Sequence, residues 1–226
     1  MDIKSYVDNV CLLARESSRR ISCITQTQKN SILSDLVKEI KENKENIKSE
    51  NKIDIEALKK SENFAESFID RLLLNDLRID AMIDSIVEII AIDDPVGDIK
   101  ELKTMPSGIK VGKMSMPLGV IAMIYESRPN VTIDASALSI KSGNSIILRG
   151  GSESIRTNIV LEKCVKKALQ ENNVNTNAVQ LINKVDRKIV NELLVRNDSI
   201  DIVIPRGGKN LIKLVDKISS IPVLKH

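Results

Sequence analysis

No stretch of this 226-residue chain approaches the run of about 20 apolar residues that a membrane-spanning helix needs. Its first residues, Met1-Asp2-Ile3-Lys4-Ser5, lack the apolar core of a signal peptide, so a cytoplasmic protein with no membrane partner is expected. Cysteine is scarce. Cys11, Cys23 and Cys164 are odd in number and widely spread, which excludes a disulfide framework and metal-ligand spacing. Charge of one sign is missing too: Lys+Arg exceeds Asp+Glu by only three (34 minus 31), and the charges are interspersed, which reads as a solvated surface and not as a nucleic-acid interface. The spaced G-x-G-x-x-G fingerprint is absent. The length suits one domain, or one domain with an extension.

What the chain does have is one stretch around which the rest is arranged, Met116 to Asn158. Pro117 to Tyr125 is a near-continuous apolar run, suited to a parallel strand buried on both faces. Asn130 to Ile140 reads as a helix stopped by Ser142-Gly143-Asn144, and Ser145-Ile146-Ile147-Leu148 as a second buried strand. That strand delivers Arg149-Gly150-Gly151-Ser152-Glu153 to the start of a long amphipathic helix. The first N–H groups of a helix lack intrahelical partners and carry partial positive charge, so phosphates bind there. Gly150 and Gly151 let an anion approach the main chain, and Arg149 adds a forked permanent charge. The same five residues also describe an ordinary tight turn with Ser152 as N-cap and Arg149 in solvent, and taken alone they lean slightly to that plainer reading.

In chain order, Ile3 to Ile21 sets Val7, Val10, Cys11 and Ala14 on one side of a helix. Thr25 or Thr27 starts the next, striped by Ile32, Leu33, Leu36, Val37 and Ile40. The charged tract Lys41 to Lys52 reads as exposed helix, anchored by Ile47 and Ile53. Glu66 to Ile92 repeats the helical pattern from Phe68 through Leu77 to Ile90, and Pro95 and Gly97 end it. Lys103 to Met116 is an extended arm or hairpin.

Beyond the central unit, a helix from Ser152 to Glu171 buries Ile155, Ile159, Val160, Cys164, Ala168 and Leu169. Val179 to Ile182 is a third strand, Arg187 to Val195 a helix, Ile200 to Ile204 a fourth strand, Lys209 to Ser219 a helix and Ile221 to Leu224 a fifth strand. This alternation predicts an α/β fold, a Rossmann-like parallel sheet with right-handed crossovers. The expected divisions are a helical region at 1–102, the arm at 103–116 and the sheet layer at 117–226. Ligands of such sheets lie beyond the carboxyl ends of the strands. Four segments fall there: Tyr125 to Asn130, Arg149 to Glu153, Asn183-Lys184 and Pro205 to Lys209. Arg206-Gly207-Gly208-Lys209 repeats the pattern of a glycine pair flanked by cations, and two such turns on one edge are better evidence than one.

The wording PLGVIAMIYESRPNVTIDASALSIKSGNSIILRGGSES, with Val203-Ile204-Pro205-Arg206-Gly207-Gly208-Lys209 and Ile221 to His226, resembles the N-terminal, cofactor-binding half of the gamma-glutamyl phosphate reductases (glutamate-5-semialdehyde dehydrogenases), in the aldehyde dehydrogenase superfamily. The resemblance covers essentially the whole chain, more loosely before Asp94. It implies NADPH-dependent reduction of gamma-glutamyl phosphate to glutamate 5-semialdehyde in proline biosynthesis, through a cysteine thioester. It places Arg149 where the superfamily's adenosine-ribose-binding lysine lies, with Gly150, Gly151, Ser152 and Glu153 beside it. An arginine there suits a 2′-phosphate, hence NADP over NAD. Gly207 and Gly208, followed by Lys209, stand in the turn near the pyrophosphate. Ser127 aligns with the asparagine that holds the oxyanion in ordinary aldehyde dehydrogenases, and this departure puts that role in doubt. Arg128 and Asn130 are either phosphate or carboxylate contacts for the substrate or braces of their loop. His226 lies near the place of the general-base glutamate, or is inert. The arm joins subunits of a homo-oligomer in the superfamily, although a plain surface hairpin fits its residues equally. All three cysteines read as structural, and the family's nucleophilic cysteine is expected beyond His226; a stand-alone nucleotide-binding protein without turnover is the alternative.

Overall fold

The computed structural model describes residues 2–60 and 66–225. Its helices are α1 (Ile3–Ile21), α2 (Gln26–Glu42), α3 (Lys44–Lys59), α4 (Glu66–Leu72), α5 (Asp76–Ala91), α6 (Asn130–Lys141), α7 (Ile155–Glu171), α8 (Lys188–Leu193) and α9 (Lys209–Ile218). Its strands are β1 (Ile99–Thr104), β2 (Lys110–Met114), β3 (Val120–Tyr125), β4 (Ser145–Arg149), β5 (Val179–Leu181) and β6 (Ile202–Arg206).

Side chains fix the helix starts. Asp2 accepts from the Ser5 N–H at 3.1 Å to begin α1. Thr25, not Thr27, begins α2, because Thr25 and Gln28 form a reciprocal capping box. Ile32, Leu33, Leu36 and Ile40 are then fully buried, each contributing about 1.5–3 kcal/mol. The charged tract is helical apart from a break at Asn43 between α2 and α3, with Ile47 as its buried anchor; Ile53 is exposed and Ile55 takes its place.

The expected single helix from Glu66 to Ile92 is broken. The Asn51 amide donates to the Leu72 carbonyl and accepts from the Leu74 N–H, both at 2.8 Å, so the groups needed to carry α4 onward are already used. Asn75 then caps α5, and the new phase leaves Leu77 exposed.

Strands β3 to β6 form one parallel sheet in the order β5-β4-β3-β6. Every residue of β3 and β4 is buried. Ile121, Met123 and Tyr125 join the core built with α2, α5, α6 and α7, whereas Val120, Ala122 and Ile124 join that of α1, α8 and α9. The N-terminal helical region packs on the sheet layer from both sides. Helix α1 covers one face, and α2, α3 and α5 pack over α6 and α7. The fifth strand shrinks to one bridge, Val203 to Val223, because Pro222 has no N–H to extend a ladder. β1 and β2 form an antiparallel hairpin exposed along both strands; it starts at Ile99, ahead of the expected boundary at 103.

The chain leaves β3 for β4 on one side of the sheet and later returns to β6 on the other. The reversal opens a crevice at the carboxyl ends of β3 and β6, the usual ligand position in such sheets.

Candidate active site

The crevice is built first from the segment after Tyr125. Ser127 is buried in the left-handed backbone region at φ 48°. Glu153 holds it there, its Oε1 accepting from the Ser127 N–H at 3.0 Å and from its hydroxyl at 2.6 Å. The hydroxyl expected to face an oxyanion is thus engaged with Glu153, and this bond ties the β3 end to the β4 end.

Two clefts meet at Arg71 and Arg128. One, of about 300 Å³, is lined by Arg71, Glu126, Arg128, Arg206, Gly207 and Gly208. The other, of about 350 Å³, lies between α4, α5 and the start of α6, and includes Asn130 and Asp134. Arg71, Arg128 and Arg206 form no ion pair with any described residue. Their charges are consequently free to act on an anion in the crevice.

At the β6–α9 turn, the Gly208 N–H donates to Glu126 Oε2 at 2.8 Å. A Cβ at Gly207 would stand 2.6 Å from that oxygen and 2.8 Å from Leu211, so a side chain there would push the Glu126 and Leu211 side-chain ends aside. Lys209, the first residue of α9, is exposed.

The β4–α7 turn differs from expectation. Arg149 is buried, its guanidinium donating to the carbonyl oxygens of Gly150 and Val185, and its Nε has no partner among the described residues. Burial pushes its pKa down, against the pull of Glu153. Ser152 is exposed and starts a short 3-10 turn instead of capping α7. The cap comes from α3: Asp54 accepts from the Thr157 N–H at 2.9 Å, the Thr157 hydroxyl at 2.7 Å and the Arg156 N–H at 3.4 Å. This helix start therefore already holds an internal carboxylate, which burial pushes up in pKa against those bonds. Gly150 is required sterically, since a Cβ would stand 3.0 Å from the Tyr125 ring and closer still to the Asn158 amide.

Arg128, Asn130, Gly207 and Gly208 thus meet at the crevice. Arg149, Gly150, Gly151, Ser152 and Glu153 lie at the adjacent strand end. Asn183 and Lys184 are drawn to α1, where both contact Tyr6. Sequence reasoning missed Arg71 and Asp134, and placed Glu126 at the strand ends, within Tyr125 to Asn130, without giving it a role. Glu126 was within reach as the residue following a buried strand; Arg71, on a helix far earlier in the chain, gave no signal.

No cysteine lines either cleft. Cys11 and Cys164 are buried, and burial pushes each thiol up to about 12. Cys23, expected to be structural, is exposed. His226 lies outside the described residues. Among the described residues no cluster of acidic, His and Cys side chains is arranged to hold a metal, and no helix is long and apolar enough to cross a membrane.

No family model matches the chain. Individual relatives do. It is 42% identical over 225 residues to a gamma-glutamyl phosphate reductase of Psychrobacter arcticus, covering 100% of this chain and 52% of that protein. The crystal structure of the gamma-glutamyl phosphate reductase of Thermotoga maritima superposes with a TM-score of 0.93 at 34% identity, over 96% of this chain and 52% of that one. A glyceraldehyde-3-phosphate dehydrogenase of Methanocaldococcus jannaschii, complexed with NADP, shares the fold at a TM-score of 0.74 and 18% identity, over 98% of this chain and 46% of that one. The chain spans about half the length of the curated relatives it matches. Over its whole length, in sequence and in fold, the chain matches about half of the gamma-glutamyl phosphate reductases, consistent with their N-terminal part.

Proposed function

We propose that this chain holds cofactor and substrate for the NADPH-dependent reduction of gamma-glutamyl phosphate to glutamate 5-semialdehyde with release of phosphate, a step of proline biosynthesis. The observation that carries the reading is the convergence of Arg71, Arg128 and Arg206, without ion pairs among the described residues, on the crevice floored by Gly207 and Gly208. Guanidinium forks and free main-chain N–H groups suit phosphate oxygens.

NADPH, when bound, supplies the hydride. Gly207, Gly208 and Lys209 fit its pyrophosphate once Glu126 leaves the Gly208 N–H. Arg149 is the proposed reader of the 2′-phosphate. Its unpartnered Nε supports that role, which also requires the guanidinium to turn from the Gly150 and Val185 carbonyls. Arg128 and Asn130 face the substrate in the adjoining cleft, and Ser127 acts on an oxyanion only when released by Glu153. Acyl transfer through a thiolate needs an accessible thiol of depressed pKa. Cys11 and Cys164 are the reverse, and Cys23 lies outside both clefts, so the nucleophile belongs to another segment. The same observation favours a second reading, nucleotide binding without turnover. The hairpin is the proposed contact between copies in a homo-oligomer.

Titration of the chain with NADPH and with NADH, followed by cofactor fluorescence, tests the cofactor reading. NADPH should bind at least about tenfold more tightly, the scale of one charge-assisted hydrogen bond. Equal affinities overturn the 2′-phosphate assignment, and no saturable binding of either overturns the nucleotide site.

A further inference from the structure

The cleft between α4, α5 and the start of α6 carries charges of both signs that no described residue neutralises. Its volume of about 350 Å³ is that of a small-ligand site. Two of its charged walls are already spent on each other: Arg78 Nη2 bonds Asp70 Oδ1 at 2.6 Å, and Arg78 Nη1 bonds the Leu73 carbonyl at 3.1 Å. Arg71, Arg128 and Asp134 remain. Neither arginine is ion-paired with a described residue. Asp134 receives hydrogen bonds from neutral groups only, Asn130 Nδ2 at 2.9 Å and the Ser85 hydroxyl, while Arg206 acts on it through space. Burial pushes the Asp134 carboxyl up, against these partners, and a cation brought to it would favour its charged form.

A ligand that answers all three side chains carries an ammonium and a carboxylate together, as an α-amino acid does. Resting on the substrate reading above, the geometry points to this cleft as the seat of the substrate's amino-acid head, with Asp134 holding the ammonium and Arg71 and Arg128 the α-carboxylate. Asn130, one turn earlier on α6, also orients Asp134 for that contact. Because Arg71 and Arg128 also border the second cleft, the phosphoryl end of the same ligand is directed toward Arg206. The arrangement is selective: an acyl phosphate without the amino group leaves Asp134 unanswered, and sites built around a polar contact discriminate strongly against ligands that lack it.

The test uses two stable ligands, a phosphonate analogue of gamma-glutamyl phosphate and its des-amino counterpart, in calorimetric titrations of the chain. The amino analogue should bind about tenfold or more tightly than the des-amino one. In Asp134→Asn that ratio should fall to near one, and in Arg71→Met both ligands should weaken. The des-amino ligand reports whether Asp134→Asn still folds, since a collapsed site loses both, and the circular dichroism spectrum and melting temperature report the fold of Arg71→Met. Equal binding of the two ligands by the unaltered chain, or an undiminished ratio in Asp134→Asn, overturns this assignment and leaves the substrate reading standing. Binding of neither ligand by the unaltered chain overturns the substrate reading itself.

Discussion

The Gly208 N–H at the start of α9 donates to the Glu126 carboxylate across 2.8 Å, so the end of β3 closes upon the end of β6 through an internal anion. The crevice carries three guanidinium groups without ion pairs among the described residues, yet the Glu126 carboxylate that lines it with them is turned onto a helix terminus. A phosphate arriving at α9 must take the place of Glu126. Charge at a helix N-terminus contributes about 0.3–1 kcal/mol. Glu126→Gln should therefore raise NADPH affinity about two- to fivefold. An unchanged or weaker affinity in the titration would show that phosphate does not compete for Gly208.

The glycines of the two turns are expected to differ in tolerance. A Cβ on Gly150 meets the Tyr125 ring at 3.0 Å and the Asn158 amide closer still, inside a buried chain of hydrogen bonds running Tyr125–Thr132–Asn158–Ser154. A Cβ on Gly208 meets nothing nearer than 3.7 Å. Gly150→Ala should cost about 1–3 kcal/mol in denaturant unfolding, as overpacking does, and Gly208→Ala less than about 0.5 kcal/mol. Equal costs would mean that the Gly150 turn relaxes freely.

How far this architecture is legible in the sequence depends on whether its cause is local. β3 and β4 announce themselves as apolar runs because both of their faces are buried. The glycine pair after β6 is legible because its backbone must approach Glu126. The break between α4 and α5 is not, since its cause is the amide of Asn51, on another helix. Arg149 illustrates the same limit. An arginine beside two glycines reads either as a phosphate ligand or as a solvated charge, and only the packing around β4 and Val185 reveals that it is buried and bonded to the main chain. The capping of α7 by Asp54 spans 103 positions and leaves no mark near the helix itself.

Lys29 and Asp94 give a stability signature in acid. Lys29 is almost wholly buried, and its Nζ contacts both Asp94 oxygens, at 2.8 and 2.9 Å. Partial burial pushes the Asp94 pKa up, but the Lys29 hydrogen bond, the Val96 N–H and the charges of Lys29 and Lys141 together outweigh it, leaving the carboxyl below the usual range of an aspartate. A depressed acid stabilises the fold above its unfolded pKa, and that share is lost as pH falls from about 4 through the lower folded value. Asp94→Asn leaves a buried ammonium unanswered and should cost about 3 kcal/mol at pH 7. Lys29→Met, which removes the buried charge instead, should cost less. The gap between Asp94→Asn and the unaltered chain should shrink below pH 4; a pH-independent gap in urea titrations would exclude the ion pair as its source.

The thiols should separate by accessibility. Cys11 and Cys164 are buried with pKa values pushed up to about 12, so at pH 8 almost none of either is thiolate. Cys23 is exposed at the end of α1, with its sulfur 3.5 Å from the Arg19 carbonyl. Iodoacetamide should label Cys23 alone in the native chain and all three cysteines in denaturant, as read by mass spectrometry. Cys23 borders neither cleft, so the labelled protein should bind NADPH as before. Native labelling of Cys11 or Cys164 at a comparable rate, or loss of cofactor binding on modification of Cys23, would reopen the assignment of these thiols as non-catalytic.

The hairpin should drive association between copies of the chain. Ile99, Leu102, Ile109, Val111 and Met114 are all exposed on β1, β2 and their turn, and an isolated pair of strands in water is marginally stable. Ile99 and Leu102 both pack over Gly112, whose missing side chain leaves an apolar shelf on one face. Shelves of this kind mark sites where another surface docks. Lys100, Lys103, Lys110 and Lys113 lie along the same strands and oppose indiscriminate edge pairing, which favours a defined partner over open aggregation. Light scattering coupled to size-exclusion chromatography should therefore find a discrete oligomer that populates with concentration. The double substitution Ile99→Ser and Leu102→Ser should return it to monomer without lowering the melting temperature of the sheet layer, because neither residue reaches either core cluster. A monomer at every concentration, or an oligomer indifferent to the double substitution, would remove the hairpin from the interface.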